Sequence, residues 1–168
     1  MKDDLYYLHQ TPKSLCIDIV NNIVFKDDNI ILEPFAGENN FYDAIPNNLN
    51  KYRAEIEDGL CYKSFDYENI KPNIIISNPP FKINGKNAFY DIMLFFAKIN
   101  SITDMYILCS AYCYDSLTPK RMRSLNDNNL YINAITIYNV KKWSGRYKLI
   151  HFTRQENKSF KYVNGIFQ

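Results

Sequence analysis

The sequence predicts one α/β domain in which helices cover both faces of a seven-stranded, mostly parallel sheet. Two observations predict this architecture. Short apolar runs alternate with segments whose apolar residues recur at helical spacing, and two long β-like runs near the carboxyl end fit an antiparallel hairpin. The chain has 168 residues and is 46% hydrophobic, which is enough for one sizeable core and leaves little room for a second. We therefore expect residues 1–168 to form a single domain.

The amino-terminal part is predicted to form an entry helix, then a strand, a loop and a second helix. Thr11 suits the N-cap position of the entry helix, and Pro12 suits its first position. A short apolar run predicts a strand at residues 30–33, and the turn-prone stretch 34–40 separates it from a helix that starts near Phe41. The apolar face of the entry helix comprises Leu15, Cys16, Ile19, Val20 and Ile23.

Further apolar runs predict the rest of the parallel sheet. They indicate strands at residues 52–56, 60–65, 74–77 and 105–109. The third of these runs is followed by two prolines, which cannot continue a central strand. Apolar residues at helical spacing predict a helix at residues 88–99.

The carboxyl-terminal part is predicted to end the sheet with antiparallel strands. A polar helix is expected around residues 118–125. The two long β-like runs, residues 130–140 and 147–152, are expected to pair as a hairpin that closes the sheet edge. Another short strand fits the tail near Tyr162 and Val163.

Composition excludes some classes of function. A net charge of +2 is too small to indicate a polyanionic partner, so such a partner has to be argued from local clusters. The four cysteines form no CxxC pair and have only two histidines for company, so we expect reduced cysteines and no metal. No apolar stretch reaches the ~18 residues that a membrane span needs, so we expect an intracellular protein without a membrane partner.

The loop after the first predicted strand is a candidate binding element. Gly37 lies within it, and a glycine there lets a bound cofactor approach the backbone. About 20 residues further on, where nucleoside-binding folds place the acid that holds ribose hydroxyls, Glu55 and Glu57 end the second predicted strand. We select Glu55 for this function. Taken singly, Glu33, Glu55 and Glu57 could each be a solvated carboxylate at a strand end, but their combined spacing favours binding.

Asp66 and Tyr67 follow the next predicted strand. A carboxylate there could accept a hydrogen bond from an adenine amino group, and a tyrosine ring could cover the adenine face. The alternative for Asp66 is an ordinary solvated aspartate.

The most specific motif is the run Asn78, Pro79, Pro80 and Phe81, directly after an apolar strand. An exocyclic amine of a nucleobase is a poor nucleophile, because its lone pair is delocalised into the ring. The side-chain oxygen of Asn78 and the carbonyl of Pro79 can accept the two amino hydrogens, which favours a pyramidal nitrogen with a localised lone pair. Phe81 can stack on the extruded base. The alternative is an ordinary turn after a buried strand.

Four segments resemble, in this order, the cofactor and catalytic motifs of S-adenosylmethionine-dependent amino-methyltransferases. These segments are EPFAGENNF at 33–41, AEIED at 54–58, FDY at 65–67 and SNPPF at 77–81. The most similar type is the N6-adenine DNA methyltransferases in the gamma motif order, in which a pair like Thr11 and Pro12 precedes the cofactor motif. The resemblance covers about residues 7–112 and implies a Rossmann-like class I methyltransferase fold with S-adenosylmethionine as the cofactor.

The resemblance also implies a function for each motif residue. Glu55 is expected at the ribose of the cofactor, and Asp66 and Tyr67 at its adenine. Ile56, next to Glu55, is also expected to bind the cofactor. The residues expected at its methionine moiety are Glu33, Pro34, Phe35, Ala36 and Gly37, with Thr11 and Pro12 closing that end. The residues expected to hold the target base are Asn78, Pro79, Pro80 and Phe81.

The chain departs from the family in two respects. The family usually has a second glycine in the cofactor motif, where this chain has Asn39, and asparagine tolerates left-handed backbone better than other non-glycine residues. There is also hardly room for a separate target-recognition region. A homodimer or a separate specificity subunit is therefore a candidate partner. Target contacts are otherwise expected from basic clusters, each of which could equally be a solvated surface: Lys82 and Lys86; Lys120, Arg121 and Arg123; and Lys141, Lys142, Trp143 and Arg146.

The leading interpretation is methyl transfer from S-adenosylmethionine to N6 of adenine in DNA. Adenine in RNA is the nearest alternative, because this type of loop serves both polymers. A catalytically silent nucleic-acid-binding subunit is a second alternative, suggested by Asn39 and by the missing recognition region. Methylation of a protein glutamine is a third, because its side-chain amide presents a similar planar amino group.

Overall fold

The computed structural model describes residues 10–139, 146–156 and 161–165, the last of these as backbone only. The helices are α1 (Lys13–Asn21), α2 (Asn40–Ala44), α3 (Tyr67–Ile70), α4 (Phe89–Ala97), α5 (Ala111–Asp115) and α6 (Pro119–Asp127), and a 3₁₀ turn spans Ile56–Asp58. The strands are β1 (Ile30–Glu33), β2 (Asn50–Arg53), β3 (Ile74–Ser77), β4 (Lys82–Ile83), β5 (Lys86–Asn87), β6 (Asp104–Ser110), β7 (Tyr131–Asn139), β8 (Arg146–Thr153) and β9 (Lys161–Gly165). No helix among the described residues is long and apolar enough to cross a membrane.

Seven strands form one sheet in the order β2-β1-β3-β6-β8-β7-β9. β2, β1, β3 and β6 are parallel to one another, whereas β8 is antiparallel to both of its neighbours, β6 and β7. The predicted fold class, a mostly parallel sheet with an antiparallel hairpin of the last two long strands, is therefore confirmed.

Alternating side chains of the central strands divide the core into two layers. Ile31, Ile74 and Ile76 pack with the apolar face of α1 on one side of the sheet. Leu32 and Ile75 pack with the apolar face of α4 on the other side. Successive residues of a strand point to opposite faces, so a strand with every residue apolar is buried on both. Helices cover both faces of the sheet, as predicted.

Residues 60–65 do not form the strand that the sequence predicted there. Tyr62 and Phe65 are buried three residues apart, and the residues between them are exposed. The N–H of Ser64 donates to the carbonyl of Cys61 at 2.9 Å, which closes a turn. A strand buries alternate residues, so burial at a spacing of three is incompatible with one. The prediction was wrong because the buried residues of this run recur at a spacing of three, not two.

The hairpin of β7 and β8 does not close the sheet edge. β9 pairs in parallel along the outer side of β7, opposite residues 134–138, and is itself the edge strand. The short strand expected near Tyr162 and Val163 is therefore present, at the edge that was predicted for the hairpin. The pairing joins segments that are distant in the chain, and local sequence patterns do not encode which edge such a strand joins.

Helix α1 begins at Lys13, one residue later than predicted. Pro12 has φ −56° and ψ 136°, so it precedes the first helical turn instead of forming part of it. No side chain caps the helix. The hydroxyl of Thr11, which was the predicted cap, accepts a hydrogen bond from the side chain of Asn78 instead, at 3.1 Å.

Candidate active site

The candidate site lies at the carboxyl ends of β1 and β3. Within the sheet, β2 lies on one side of β1 and β3 lies on the other. The direction in which successive strands are added therefore reverses between β1 and β3. Open α/β sheets bind ligands at such a reversal, outside the carboxyl ends of the strands. The segments that follow these two strands carry the predicted cofactor motif and Asn78.

The cofactor loop, residues 34–39, turns tightly over the end of β1. Gly37 has φ 50° and Asn39 has φ 64°, both in the left-handed region where glycine and asparagine are least strained. The N–H of Asn39 donates to the carbonyl of Ala36 at 2.8 Å, and the N–H of Ala36 donates to the carbonyl of Ala54 at 3.1 Å. Asn39 therefore adopts a left-handed backbone conformation, which asparagine tolerates better than other non-glycine residues.

The side-chain oxygen of Asn39 is buried and has no hydrogen-bond partner among the described residues. The large majority of buried polar side-chain atoms in proteins are paired. A ligand that brought an N–H or O–H group to this loop would satisfy the oxygen. This atom therefore provides structural support for a ligand at the cofactor loop.

Glu55 joins the end of β2 to the cofactor loop. It is 7% exposed, and one carboxylate oxygen accepts a hydrogen bond from the N–H of Gly37 at 2.6 Å. The other oxygen lies 3.5 Å from the N–H of Glu57, at the start of the 3₁₀ turn. A carboxylate has about four acceptor positions, so bracing the loop is compatible with holding ribose hydroxyls. Ile56, the next residue, is 65% exposed although it is apolar.

Glu33 is buried at the end of β1, where it holds α2. One carboxylate oxygen accepts from the N–H of Tyr42 at 2.7 Å. Burial raises the pKa of Glu33 well above its usual value, and the hydrogen bond from Tyr42 acts in the opposite direction. These contacts make Glu33 part of the frame of the loop, and its expected contact with a methionine moiety remains a prediction.

Asp66 and Tyr67 begin α3 and both have internal partners. Asp66 is exposed, and its carboxylate accepts from the backbone N–H and the side-chain nitrogen of Asn69, which lowers the pKa of Asp66. The hydroxyl of Tyr67 donates to the carbonyl of Tyr62 at 2.7 Å. Asp66 therefore remains accessible to a ligand.

An aromatic cluster supports this side of the site. The ring of Tyr67 packs at 5.1 Å from that of Phe65, and the ring of Phe35 lies 4.8 Å from that of Tyr62. Pro34 and Ala36 are buried and Phe35 is half-buried. The rings of Phe95 and Phe96 also lie within 6.4 Å of that of Tyr67, and its position over an adenine remains a prediction.

Thr11 connects the segments that follow β1 and β3. It is 5% exposed, and its hydroxyl oxygen accepts from the side-chain nitrogen of Asn78 at 3.1 Å. Its carbonyl accepts from the side-chain nitrogen of Asn40 at 2.9 Å. Sequence reasoning missed Asn40. It lies inside the cofactor motif, but nothing in the sequence indicates that its side chain contacts Thr11.

The target loop, residues 78–81, leads into a short β hairpin. Phe81 is half-buried, with its ring 6.3 Å from that of Tyr147. β4 and β5 then pair around Asn84 and Gly85, which both have positive φ, and carry the exposed Lys82 and Lys86. Sequence reasoning missed this hairpin, although Asn-Gly is the strongest short signal for a two-residue hairpin turn.

The basic cluster on α6 is partly engaged within the protein. The guanidinium of Arg121 donates to the carbonyl of Ser116 at 2.8 Å and lies 5.0 Å from the ring centroid of Tyr90. Lys120 and Arg123 are exposed. Of the three basic residues in this cluster, Lys120 and Arg123 therefore present an exposed positive charge.

The last basic cluster lies at the start of β8. Arg146 is exposed there, and Lys141, Lys142 and Trp143 fall outside the described residues. Sequence reasoning missed Lys148, two residues further on, whose ammonium lies 3.8 Å from the ring centroid of Tyr114. No local pattern singles this lysine out, because its ring partner comes from α5.

Two surface clefts lie at the opposite, amino edge of the sheet. One adjoins Arg154, whose five N–H groups donate to backbone carbonyls at the ends of α4 and α6 and near Ile102. The other adjoins His151, which is hydrogen-bonded to Asp104 and Asn133. None of the predicted site residues lines either cleft. Among the described residues no group of three or more His, Cys, Asp or Glu side chains could hold a metal ion.

A solved structure with the same architecture, from Listeria monocytogenes, identifies the fold. A Listeria monocytogenes protein (lmo1582), assigned as a class I S-adenosylmethionine-dependent methyltransferase, matches with a TM-score of 0.67 and 12% identity over 98% of this chain and 68% of its own. A mutant DNMT2 of Spodoptera frugiperda matches with a TM-score of 0.48 and 10% identity over 93% of this chain and 52% of its own. No family model and no curated protein sequence matches the chain. The chain has the class I S-adenosylmethionine-dependent methyltransferase fold.

Proposed function

We propose that this protein transfers a methyl group from S-adenosylmethionine to N6 of adenine in DNA. The observation that carries the proposal is the position of Asn78. This residue follows the fully buried strand β3 at the reversal of strand order, and Thr11 holds its amide nitrogen. The site therefore offers an oriented amide beside the loop expected to bind the cofactor.

The residues around the cofactor loop fit S-adenosylmethionine. Gly37 allows close approach to the backbone, and the buried carboxylate of Glu55 is an acceptor suited to ribose hydroxyls. The exposed apolar side chain of Ile56 and the exposed carboxylate of Asp66 suit the face and the amino group of an adenine. The buried oxygen of Asn39 is a further acceptor for a ligand N–H or O–H group.

The chain's own contribution to the reaction is orientation and hydrogen bonding. When bound, the cofactor supplies an electrophilic methyl group on a sulfonium, which is already a good leaving group. Asn78 and the carbonyl of Pro79 accept the two hydrogens of the target amine, so that the nitrogen becomes pyramidal with its lone pair directed at the methyl group. Phe81 stacks on the extruded base.

Basic residues near the target loop support a nucleic-acid substrate. Lys82 and Lys86 lie on the hairpin that directly follows Phe81, and both are exposed. Arg146 is exposed at the start of β8, and the ring of the next residue, Tyr147, packs near that of Phe81. Such charges neutralise phosphates without reading sequence. We therefore propose that recognition of a particular sequence needs the segment that contains Lys141, Lys142 and Trp143, a second copy of the chain or a separate specificity subunit.

The structure also bears on the silent-subunit alternative. That alternative was suggested by Asn39, and Asn39 adopts a left-handed backbone, which asparagine tolerates. The absence of a second glycine therefore does not strain the cofactor loop, which supports the catalytic proposal.

The proposal is tested by incubating the protein with S-adenosylmethionine labelled in its methyl group and four substrates, namely duplex DNA, single-stranded DNA, RNA and a glutamine-rich protein. Digestion and nucleoside analysis of the DNA should give labelled N6-methyl-2′-deoxyadenosine. If only RNA or only the protein were labelled, that polymer and not DNA would be the substrate. No label in any substrate, together with measurable cofactor binding, would contradict the catalytic proposal.

A further inference from the structure

Thr11 is engaged in a contact that its position before a helix does not explain. Its hydroxyl does not cap α1, and it accepts instead from Asn78, which is 67 residues away in the chain. Thr11 is almost fully buried. Water competes weakly for a hydrogen bond at such a site, so the contact holds its geometry better than an exposed one would.

The contact anchors the nitrogen end of the Asn78 amide at Thr11. An amide group has a hydrogen-bond donor on one side and an acceptor on the other. Since the nitrogen of Asn78 is directed at the hydroxyl of Thr11, its oxygen is directed away from Thr11. An amide turned by half a rotation would present N–H groups where the target amine needs an acceptor.

A second contact connects Thr11 to the cofactor side of the site. Its backbone carbonyl accepts from the side chain of Asn40, the first residue of α2. One buried residue thus contacts the element that follows the cofactor loop and the amide in the target loop. Only the contact with the Asn78 amide depends on the hydroxyl of Thr11.

We infer that Thr11 is a positioning residue that orients the Asn78 amide toward the target amine. The inference rests on the proposed methyl transfer at Asn78. It predicts that loss of the hydroxyl slows methyl transfer and leaves cofactor affinity unchanged, whereas a hydroxyl that closed the methionine end would change the affinity.

Thr11→Val tests the hydroxyl alone, since valine keeps the shape of the side chain and the carbonyl contact to Asn40. The single-turnover rate of methyl transfer should fall about tenfold or more, as for a lost hydrogen bond in a buried site. Thr11→Ser, which keeps the hydroxyl, should restore the rate. Thr103→Val is the matched control, because the hydroxyl of Thr103 donates to the carbonyl of Asn73 at the amino edge of the sheet. Calorimetry should show the same cofactor affinity in all of these variants.

A double variant separates positioning from a general structural effect. If Thr11 acts through Asn78, the combination of Thr11→Val with Asn78→Ala should be no slower than Asn78→Ala alone, because the second change removes the group that the first one misorients. Two effects that multiply, or a Thr11→Val variant as fast as the wild type, would overturn the inference.

Proton exchange measured by NMR tests the contact without any activity. The side-chain amide signals of Asn78 are identified by their loss in Asn78→Ala. They should exchange slowly in the wild type and in Thr11→Ser, and rapidly in Thr11→Val. Equal exchange in all three would overturn the inference. A wild type that methylates no adenine substrate would instead refute the proposed function, and the exchange rates would still decide the function of Thr11.

Discussion

At the scale of single residues, Glu55 illustrates how one carboxylate can brace a loop and also bind a ligand. Its contact with the N–H of Gly37 is visible in the structure. Its contact with ribose hydroxyls is a prediction. The two functions need different numbers of acceptor oxygens. The contact with Gly37 uses one carboxylate oxygen, whereas the ribose hydroxyls would need further acceptor positions.

Glu55→Gln separates these two functions. Glutamine keeps one oxygen for Gly37 but replaces the other with a donor, so it should weaken cofactor binding by roughly 1.5–3 kcal/mol, the usual contribution of a hydrogen bond to a charged group. Calorimetry measures the affinity, and Glu57→Gln, at an exposed neighbour, is the control. A Glu55→Gln variant that binds the cofactor like the wild type would show that Glu55 is only a brace.

Glu33 gives a prediction about pH. Burial raises its pKa in the folded state, so the folded protein holds a proton more tightly than the unfolded chain does. As pH rises from the unfolded pKa of about 4.3 to the folded pKa, ionisation of Glu33 lowers the free energy of unfolding. The decrease is about 1.4 kcal/mol for each pH unit between the two pKa values. Above the folded pKa the loss is complete.

Glu33→Gln should remove this pH-dependent loss, because glutamine keeps an oxygen for the N–H of Tyr42 and has no charge to bury. Urea unfolding between about pH 4 and pH 8 should show the variant gaining stability relative to the wild type as pH rises. The exposed Glu38→Gln is the control. Curves for Glu33→Gln and wild type that stay parallel over this range would contradict the assignment.

At the scale of elements, the hairpin of β4 and β5 gives a prediction about nucleic-acid binding. If Lys82 and Lys86 contact phosphates, replacing each with alanine should weaken binding to all DNA sequences alike. Each change should also reduce the slope of log affinity against log salt by about 0.9. Lys98→Ala, at an exposed lysine after α4, should change neither quantity. Binding that remains unchanged in the Lys82→Ala, Lys86→Ala double variant would place the phosphate contacts elsewhere.

The elements also show where local patterns succeed. β3 was predictable because three isoleucines in succession are followed, three residues later, by two prolines, and both signals are local. The late start of α1 was not, because the hydroxyl of Thr11 has a distant partner that competes with the cap. Asn84 and Gly85 are a local signal for the hairpin of β4 and β5.

At the scale of the whole molecule, the alternation of strands and helices was sufficient to predict the architecture, and the order of the motifs was sufficient to place the candidate site at the carboxyl ends of β1 and β3. The turn at residues 60–65 and the edge position of β9 were not anticipated. The contact of Glu55 with Gly37 and that of Thr11 with Asn78 bring together distant residues, so only a structure could reveal them.

The central claim is that the amide of Asn78 activates an amine for methyl transfer, and Asn78→Ala tests it most directly. The variant should bind S-adenosylmethionine with almost unchanged affinity, because the cofactor contacts are expected mainly on other loops. Its rate of methyl transfer to adenine-containing DNA should be lower than that of the wild type by a factor on the order of 10² or more. The reason is that it lacks a positioned acceptor in the transition state. Asn78→Asp, which keeps an acceptor, should be less impaired. A wild type that methylates adenine and an Asn78→Ala variant that does so at the same rate would contradict the claim.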